Sequence, residues 1–386
     1  MIHGPRVLHV IAEYSAHEAM GRTVRETALR VPGEHHLVAA RVHDGADVFA
    51  GVHELGGSVG TFPWPVRSEL AHLLDTLRPD VVHLHAGALG PLMAWATPLR
   101  HQPLVLTMYA WPTLPRRHEW SYASVAEMRA SNVLQPRVAV TTALPAWMLR
   151  AALRRTGAVG VLTPDPRVRE RLGQVPGVPV VALPSGAPRD PRRAQWDDEH
   201  PVVLFAGRAE TVRGIDTLLT AFPQVLAVVP GARLRLLLIP RPELDGLLAT
   251  AREAGIGDAL EVVTEPVPDI LAEMAQAQVG TWPFKFDYTT SPPAMAVAEA
   301  LSVGLPVVST PVACVRAVVT ADENGLLVPV GDASALASAL VRLLTDRSSW
   351  DRLAAAGPRT TERFGWDAAA VLTDRMYDRV PARALV

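Results

Sequence analysis

Two successive series of short apolar runs, each alternating with helical patterns, constrain this chain more than any other feature. The first series is RVLHVIA (6–12), HHLVAARV (35–42), DVVHLH (80–85), PLVLTMY (103–109), VGVLTP (159–164) and PVVALPS (179–185). Helical patterns fall between them, around 18–31, 66–77, 89–99, 144–155 and 166–173. Such strands predict a parallel sheet covered on both faces, with ligands beyond the carboxyl ends of the strands. The stretch GAPRDPRRAQWDDEH (186–200) has Pro, Gly and alternating charge without periodicity, and reads as a linker. The alternation then restarts with strands at 201–207, 233–240, 260–266, 279–284, 305–310 and 325–331 and helices at 214–229, 242–255, 268–277 and 332–345. The prediction is two Rossmann-like α/β domains. A last amphipathic segment, 364–380, sets Ala368, Val371, Leu372 and Met376 on one face and is expected to pack back on the first domain.

A length of 386 residues suits two domains, and 49% hydrophobic with 20% charged residues suits globular cores. The net charge of -2 gives no reason to expect nucleic acid or an anionic membrane as partner. Cys314 is the only cysteine, which excludes a disulfide framework and a cysteine-rich zinc site, and it reads as a buried thiol. Lys285 is the only lysine; the arginine skew points to genome composition rather than to a site. No apolar run is long enough to span a membrane, and the run from Val7 to Ala12, broken by His9, is too short for a signal-peptide core and reads as a first strand. A cytoplasmic protein is the expectation.

The stretch SPPAMAVAEALSVGLPVVST (291–310) reads as a helix capped by Ser291, opened by Pro292 and Pro293, followed by a buried strand. Between Asp287 and Arg316 the only charged side chain is Glu299. A carboxylate in so apolar a helix either reaches an exposed face, caps a loop, or is aimed at ligand hydroxyls. In AGRAETVRG (206–214), Arg208 follows a strand and Arg213 precedes Gly214 at a helix start, so both guanidiniums can converge on one diphosphate; the alternative is two surface arginines.

Taken together these stretches resemble the retaining, nucleotide-sugar-dependent glycosyltransferases of the GT-B fold, family four. The resemblance runs through RVLHVIAEY with Gly21 and Arg22, PDVVHLH and LVLT. It continues, more strongly, through VVLFAGRAETVRGIDTLLTAF, AVAEALSVGLPVVST, ENGLLVPVGDASALASAL and FGWDAAAVLTDRMY, so that it covers nearly the whole chain. It implies two Rossmann-like domains facing across a cleft: an acceptor domain over 1–190, a nucleotide-sugar domain over 191–364, and a helix at 365–386 crossing back. It implies a UDP- or GDP-type sugar as co-substrate, with no metal and no further cofactor. No Asp-x-Asp pair stands at a strand end to hold a metal; WDDE (196–199) lies in the linker.

Residue by residue, the resemblance gives Gly207, Arg208 and Arg213 the leaving diphosphate, with Arg213 where the family has Lys. It gives Gly21 and Arg22 a loop that approaches the donor, although Gly21 by itself could simply begin a helix. Glu299 matches the second Glu of a paired-Glu motif and would hold the ribose hydroxyls. The first Glu of that motif is replaced by Ser291, beside Pro292, Pro293 and Ala294, which points to an unusual donor sugar or altered activity. Tyr109 stands where a His near the reaction centre is common. His85, nearer the carboxyl end of its strand than His83, is the candidate for the cleft and for catalysis beside Tyr109; a packed strand-end His is the alternative. Glu13, Tyr14, Trp111 and His118 complete the acceptor candidates, with Trp111 and Trp120 readable equally as core. The expected activity is sugar transfer with retention to a small, secondary-metabolite acceptor, as in antibiotic biosynthesis. A catalytically altered partner or activator subunit is the second hypothesis, and a sugar-nucleotide isomerase the third.

Overall fold

The computed structural model describes residues 4–58, 62–131, 133–184, 186–287 and 289–381, the side chains of Pro136 and Arg137 aside. It divides into two compact units, Met1–Pro112 with Val140–Ser185 and Gly365–Val386, and Thr113–Ala139 with Gly186–Phe364. Residues 113–139, read from sequence as part of the first domain, thus belong to the second unit.

In the first unit, strands β1 (Arg6–Tyr14), β2 (Glu34–Val42), β3 (Gly51–Glu54), β4 (Val81–Ala86), β5 (Leu104–Met108), β6 (Ala158–Thr163) and β7 (Val180–Ala182) form one parallel sheet ordered β3-β2-β1-β4-β5-β6-β7. Helix α1 (Ala19–Arg30) follows β1, α2 (Arg67–Leu77) precedes β4, and α3 (Gly90–Trp95) follows it. Helix α4 (Val125–Ala130) belongs to the 113–139 excursion, and α5 (Pro136–Ala143) leads back from it to α6 (Ala146–Arg154) and, after β6, α7 (Pro166–Leu172). Strand order reverses between β1 and β4, the topological switch where open α/β sheets place ligands. The expected strands stand in this sheet, although Ser185, the last residue of the 179–185 run, lies outside the described residues, as do Met1–His3. Strand β3 was not foreseen: it is a four-residue edge strand, half-exposed, without the apolar run that announces a buried one.

The two faces of this sheet differ. One buries Leu8, Val10, Val82, Leu84, Leu104 and Leu106 in an apolar core under the α2, α3 and α6 helices. The other, toward α1, carries Ile11, Leu37 and Ala39 together with buried His9, His35, His83 and His85.

The second unit repeats the plan. Strands β8 (Val202–Arg208), β9 (Arg233–Ile239), β10 (Leu260–Val263), β11 (Val279–Trp282), β12 (Val307–Ser309) and β13 (Gly325–Leu327) are parallel in the order β10-β9-β8-β11-β12-β13. Helices α8 (Ile215–Val228), α9 (Leu244–Glu253), α10 (Ile270–Gln276), α11 (Met295–Ser302), α12 (Ala313–Arg316), α13 (Ala333–Thr345) and α14 (Arg347–Thr361) connect and cover them. Helix α14 escaped the sequence reading because Gly357 and Pro358 imitate a breaker; in the fold, Gly357 is where α14 meets the Leu301 carbonyl.

Two expectations are corrected. Residues 186–200 are not a free linker: the Ala187 N–H donates to the Phe364 carbonyl, the Ala194 N–H to Val303, and Trp196 packs edge-on against Trp350 at 5.9 Å. The last helix, α15 (Trp366–Tyr377), does pack in the first unit, beside α1, with Arg30 paired to Asp367 at 3.2 Å. Its buried face, however, is Trp366, Ala369, Ala370, Thr373, Met376 and Tyr377, while Val371 is exposed. Apolarity alone misassigned the face because polar Thr373 and Tyr377 point inward, where Tyr377 bonds a buried histidine.

Candidate functional site

In the second unit, the site is built at the carboxyl end of β8. Gly214 caps α8 with φ +77, and a Cβ there would stand 1.9 Å from the Pro283 carbonyl oxygen. Only glycine combines that left-handed backbone with so close an approach. A short turn, Thr211–Arg213, precedes it and carries Arg213 inward. Glu210, buried between the two arginines, binds both: Oε2 accepts from Arg213 Nε at 2.9 Å, and Oε1 stands 4.0 Å from Arg208 Nη1. Arg208 and Arg213 thus stand around one carboxylate, that of Glu210. Charges in so desolvated a loop act more strongly than in water. Burial pulls the Arg213 pKa down, the Glu210 charge opposes this, and a guanidinium remains a cation throughout.

Sequence reasoning missed Glu210, although a Glu placed between the two arginines of GRAETVR is the signal. It also assigned no role to Lys285, which is buried with Nζ 2.6 Å from Asp216 Oδ2. Asp216 lies in the first turn of α8, where the helix dipole favours a carboxylate. The 113–139 excursion covers this corner: Met128 and Val133 pack with Val212 and Phe286, and Tyr122 lies 6.1 Å from the Phe286 ring.

Helix α11 begins later than the sequence reading placed it. Ala294 is its N-cap, without a side-chain cap, so Ser291 is not the cap and Pro292 and Pro293 belong to the loop before it. The sequence put the cap too early because Pro292 and Pro293 are not in its first turn. The Ala294 N–H donates to the Cys314 carbonyl at 3.0 Å, and Cys314 is within electrostatic reach of Arg213, so the start of α11 adjoins the arginine loop. Glu299 is 4% exposed, on the buried side of α11. Gly207, Arg208, Arg213, Ser291, Pro292, Pro293, Ala294 and Glu299 all stand in this one unit.

In the first unit the candidates fare differently. Gly21 is the third residue of α1, and its missing Cβ is filled by the Ser15 carbonyl oxygen, 2.1 Å from where that Cβ would stand. The chain's own loop thus accounts for the glycine; Arg22 follows it, half-buried on α1. Glu13 is exposed and pairs with His43 at 2.8 Å. Tyr14 is no contact residue: it is fully buried, its hydroxyl donates to the Gly45 carbonyl at 2.8 Å, and burial pushes its phenol up. Trp111, 1% exposed, belongs to the apolar core with Arg171 over its ring at 5.2 Å, so it lines no surface. His118 is exposed, edge-on to Tyr122 at 6.1 Å, and belongs to the second unit rather than the first.

His85 and Tyr109 require the largest correction. His85 is 2% exposed and Tyr109 5%. His85 Nδ1 is 2.9 Å from the Tyr109 hydroxyl and its Nε2 is 3.0 Å from His9 Nδ1, so both ring nitrogens are taken. Burial lowers the His85 pKa and raises that of Tyr109. Both side chains are thus engaged with each other and with His9 beneath the surface. Alternation along DVVHLH correctly put His83 and His85 on one face, 4.0 Å apart between ring centroids, but that face is covered by α1 and α15.

Comparison with known proteins agrees with this architecture. The family model described as glycosyl transferases group 1 matches residues 200–346. The phosphatidyl-myo-inositol mannosyltransferase of Mycobacterium leprae is 29% identical over 78% of this chain and 74% of its own length. The D-inositol 3-phosphate glycosyltransferase of Xylanimonas cellulosilytica is 32% identical, over 48% of this chain and 44% of that protein. Among solved structures, sucrose-phosphate synthase from Thermosynechococcus elongatus superposes with a TM-score of 0.75 at 19% identity, covering 98% of this chain and 100% of that one. Anabaena HepE, solved with UDP-glucose, gives 0.71 at 14% identity over 97% and 100%. Such identities carry the fold. With the order of its two parallel sheets and these superpositions, the chain has the GT-B fold, and its second unit matches the group 1 glycosyl transferase family over residues 200–346.

Proposed function

We propose that this protein transfers a glycosyl group from a nucleoside-diphosphate sugar to a hydroxylated small-molecule acceptor, with retention of the anomeric configuration. The observation that carries the reading is the pair Arg208 and Arg213 held on Glu210 at the carboxyl end of β8. A departing nucleoside diphosphate develops negative charge on its bridging oxygen, and preorganised cations lower that barrier without reorganising. In this reading Arg208 and Arg213 hold the diphosphate, and Glu299 accepts from the ribose hydroxyls. The acceptor attacks on the face from which the diphosphate leaves. The transfer calls on no metal and no cofactor beyond the sugar nucleotide.

Relatives named for phosphatidyl-myo-inositol and inositol 3-phosphate favour a cyclic polyol acceptor over the secondary metabolite expected from sequence. Ser291, neutral where the resemblance expects a carboxylate, favours a donor sugar other than the usual hexoses. The test is release of nucleoside diphosphate from a panel of UDP- and GDP-sugars with inositol and inositol phosphate as acceptors, and the product's anomeric coupling by NMR. Retained configuration supports the reading. Inversion would overturn the retaining mechanism, and nucleotide binding without turnover would favour the altered partner subunit that Ser291 also allows.

A further inference from the structure

The buried histidines of the first unit form a directed file. His35 Nε2 lies 2.8 Å from the Val31 carbonyl oxygen, which can only accept, so His35 carries its proton on Nε2. Burial lowers the pKa of His35, His9 and His85, so each is a neutral imidazole with one donor and one acceptor. His35 Nδ1 must then accept from His9 Nε2, at 2.9 Å. His9 Nδ1 in turn accepts from His85 Nε2, at 3.0 Å. His85 Nδ1 finally accepts from the Tyr109 hydroxyl, at 2.9 Å. One carbonyl at the end of α1 thereby fixes three tautomers and one hydroxyl rotor. The Tyr109 oxygen, its own proton given to His85, faces Thr23 in the second turn of α1, whose single hydroxyl proton goes either to the Tyr109 oxygen or to the Ala19 carbonyl at 2.9 Å. The file starts at the C-cap of α1, crosses β2, β1, β4 and β5, and returns to the helix beside Gly21 and Arg22.

We propose that His35, His9 and His85 are positioning residues that hold the start of α1, at the carboxyl end of β1 where the strand order reverses, in the geometry used for glycosyl transfer. The proposal rests on the proposed function for its kinetic consequence but not for its structural one. His9, His83 and His85 also bring three ring nitrogens within 4.8 Å of one another. The hydrogen bonds argue against a metal there. His9 and His85 bond each other, and His83 is engaged on both sides, by the Tyr377 hydroxyl and Thr107 Oγ1, each at 2.7 Å.

The test has two arms. Long-range 15N–1H spectra of the full chain at neutral pH should show His9, His35 and His85 all neutral and all in the Nε2–H form. A Nδ1–H form or an imidazolium at any of the three, or stoichiometric Zn²⁺ uptake by the purified protein, would overturn the proposal. In the second arm, His35→Gln keeps an amide donor for Val31 and an amide acceptor for His9, whereas His35→Phe keeps the volume and loses both. The expected result is near-normal kcat for His35→Gln and a loss of about tenfold or more for His35→Phe. Nucleoside-diphosphate affinity, held by the second unit, should be unchanged in both. Equal kcat in the two variants would overturn the proposal. If His35→Phe does not fold, Thr23→Val, at the other end of the file, replaces it with the same expected loss of kcat. A wild-type protein that transfers nothing would defeat the functional reading and leave the spectra to decide the file.

Discussion

Acid should unfold the first unit through its neutral histidines, ahead of the second. His9, His83 and His85 are fully buried with pKa values well below the ordinary range, His83 at about 3, chiefly through desolvation by burial; His35 is lowered for the same first reason. The sign follows from linkage. A histidine whose folded pKa is depressed binds more protons when unfolded, so its stabilisation is complete above the unfolded pKa of about 6.5 and is lost as pH falls below it. From pH 7 to pH 5, each such histidine contributes a loss of about 2 kcal/mol, so the first three contribute on the order of 6 kcal/mol, with His35 adding to this. Against a domain stability of roughly 5–15 kcal/mol, that is enough to open the unit. Hydrogen exchange read peptide by peptide, corrected for intrinsic rates, separates the two units. Peptides of β1 and β4 should lose protection steeply between pH 7 and pH 5, while those of β8 and β11, which contain no histidine, should not. His9→Leu should lose about 1–3 kcal/mol at neutral pH by leaving its partners unmatched, and should lower the mean pH slope between pH 7 and pH 5 by about 1 kcal/mol per unit. Protection of β1 and β4 that is flat from pH 7 to pH 5 would refute the reasoning.

Two further outcomes concern packing. Trp111→Ala empties a fully buried site of the first unit and should destabilise it by about 3–5 kcal/mol, seen as a lower unfolding midpoint in urea; donor affinity in the second unit should not change. Gly214→Ala sets a Cβ against the Pro283 carbonyl at a backbone with φ +77, so the arginine loop must shift; calorimetry should show weakened nucleotide binding with the core strands of the unit still protected from exchange.

The alternation of apolar runs and helical patterns was enough to read both sheets except the edge strand β3, because strands buried on two faces must be continuously apolar. Of the donor candidates, Arg208 and Arg213 were legible because charge and spacing carry the information. Glu210, which organises them, was not, because no periodicity marks a loop residue that turns inward. Tyr14, His85 and Tyr109 misled for the opposite reason. Polar residues at strand ends look like ligand contacts, and only the folded structure shows that His85 and Tyr109 bond each other and that Tyr14 bonds the Gly45 carbonyl. The excursion 113–139 was invisible as such, since a local sequence pattern does not say on which unit a loop will pack.

The central claim, that the β8 arginine loop binds a nucleoside diphosphate, is tested most directly by calorimetric titration of the full chain with UDP and GDP, and of Arg213→Ala with whichever binds. One of the two should bind the wild-type protein, and Arg213→Ala should bind it about 10- to 100-fold more weakly, the value of about 1.4–3 kcal/mol for a charge-assisted contact. Binding of neither nucleotide, or equal affinity in the variant, would contradict it.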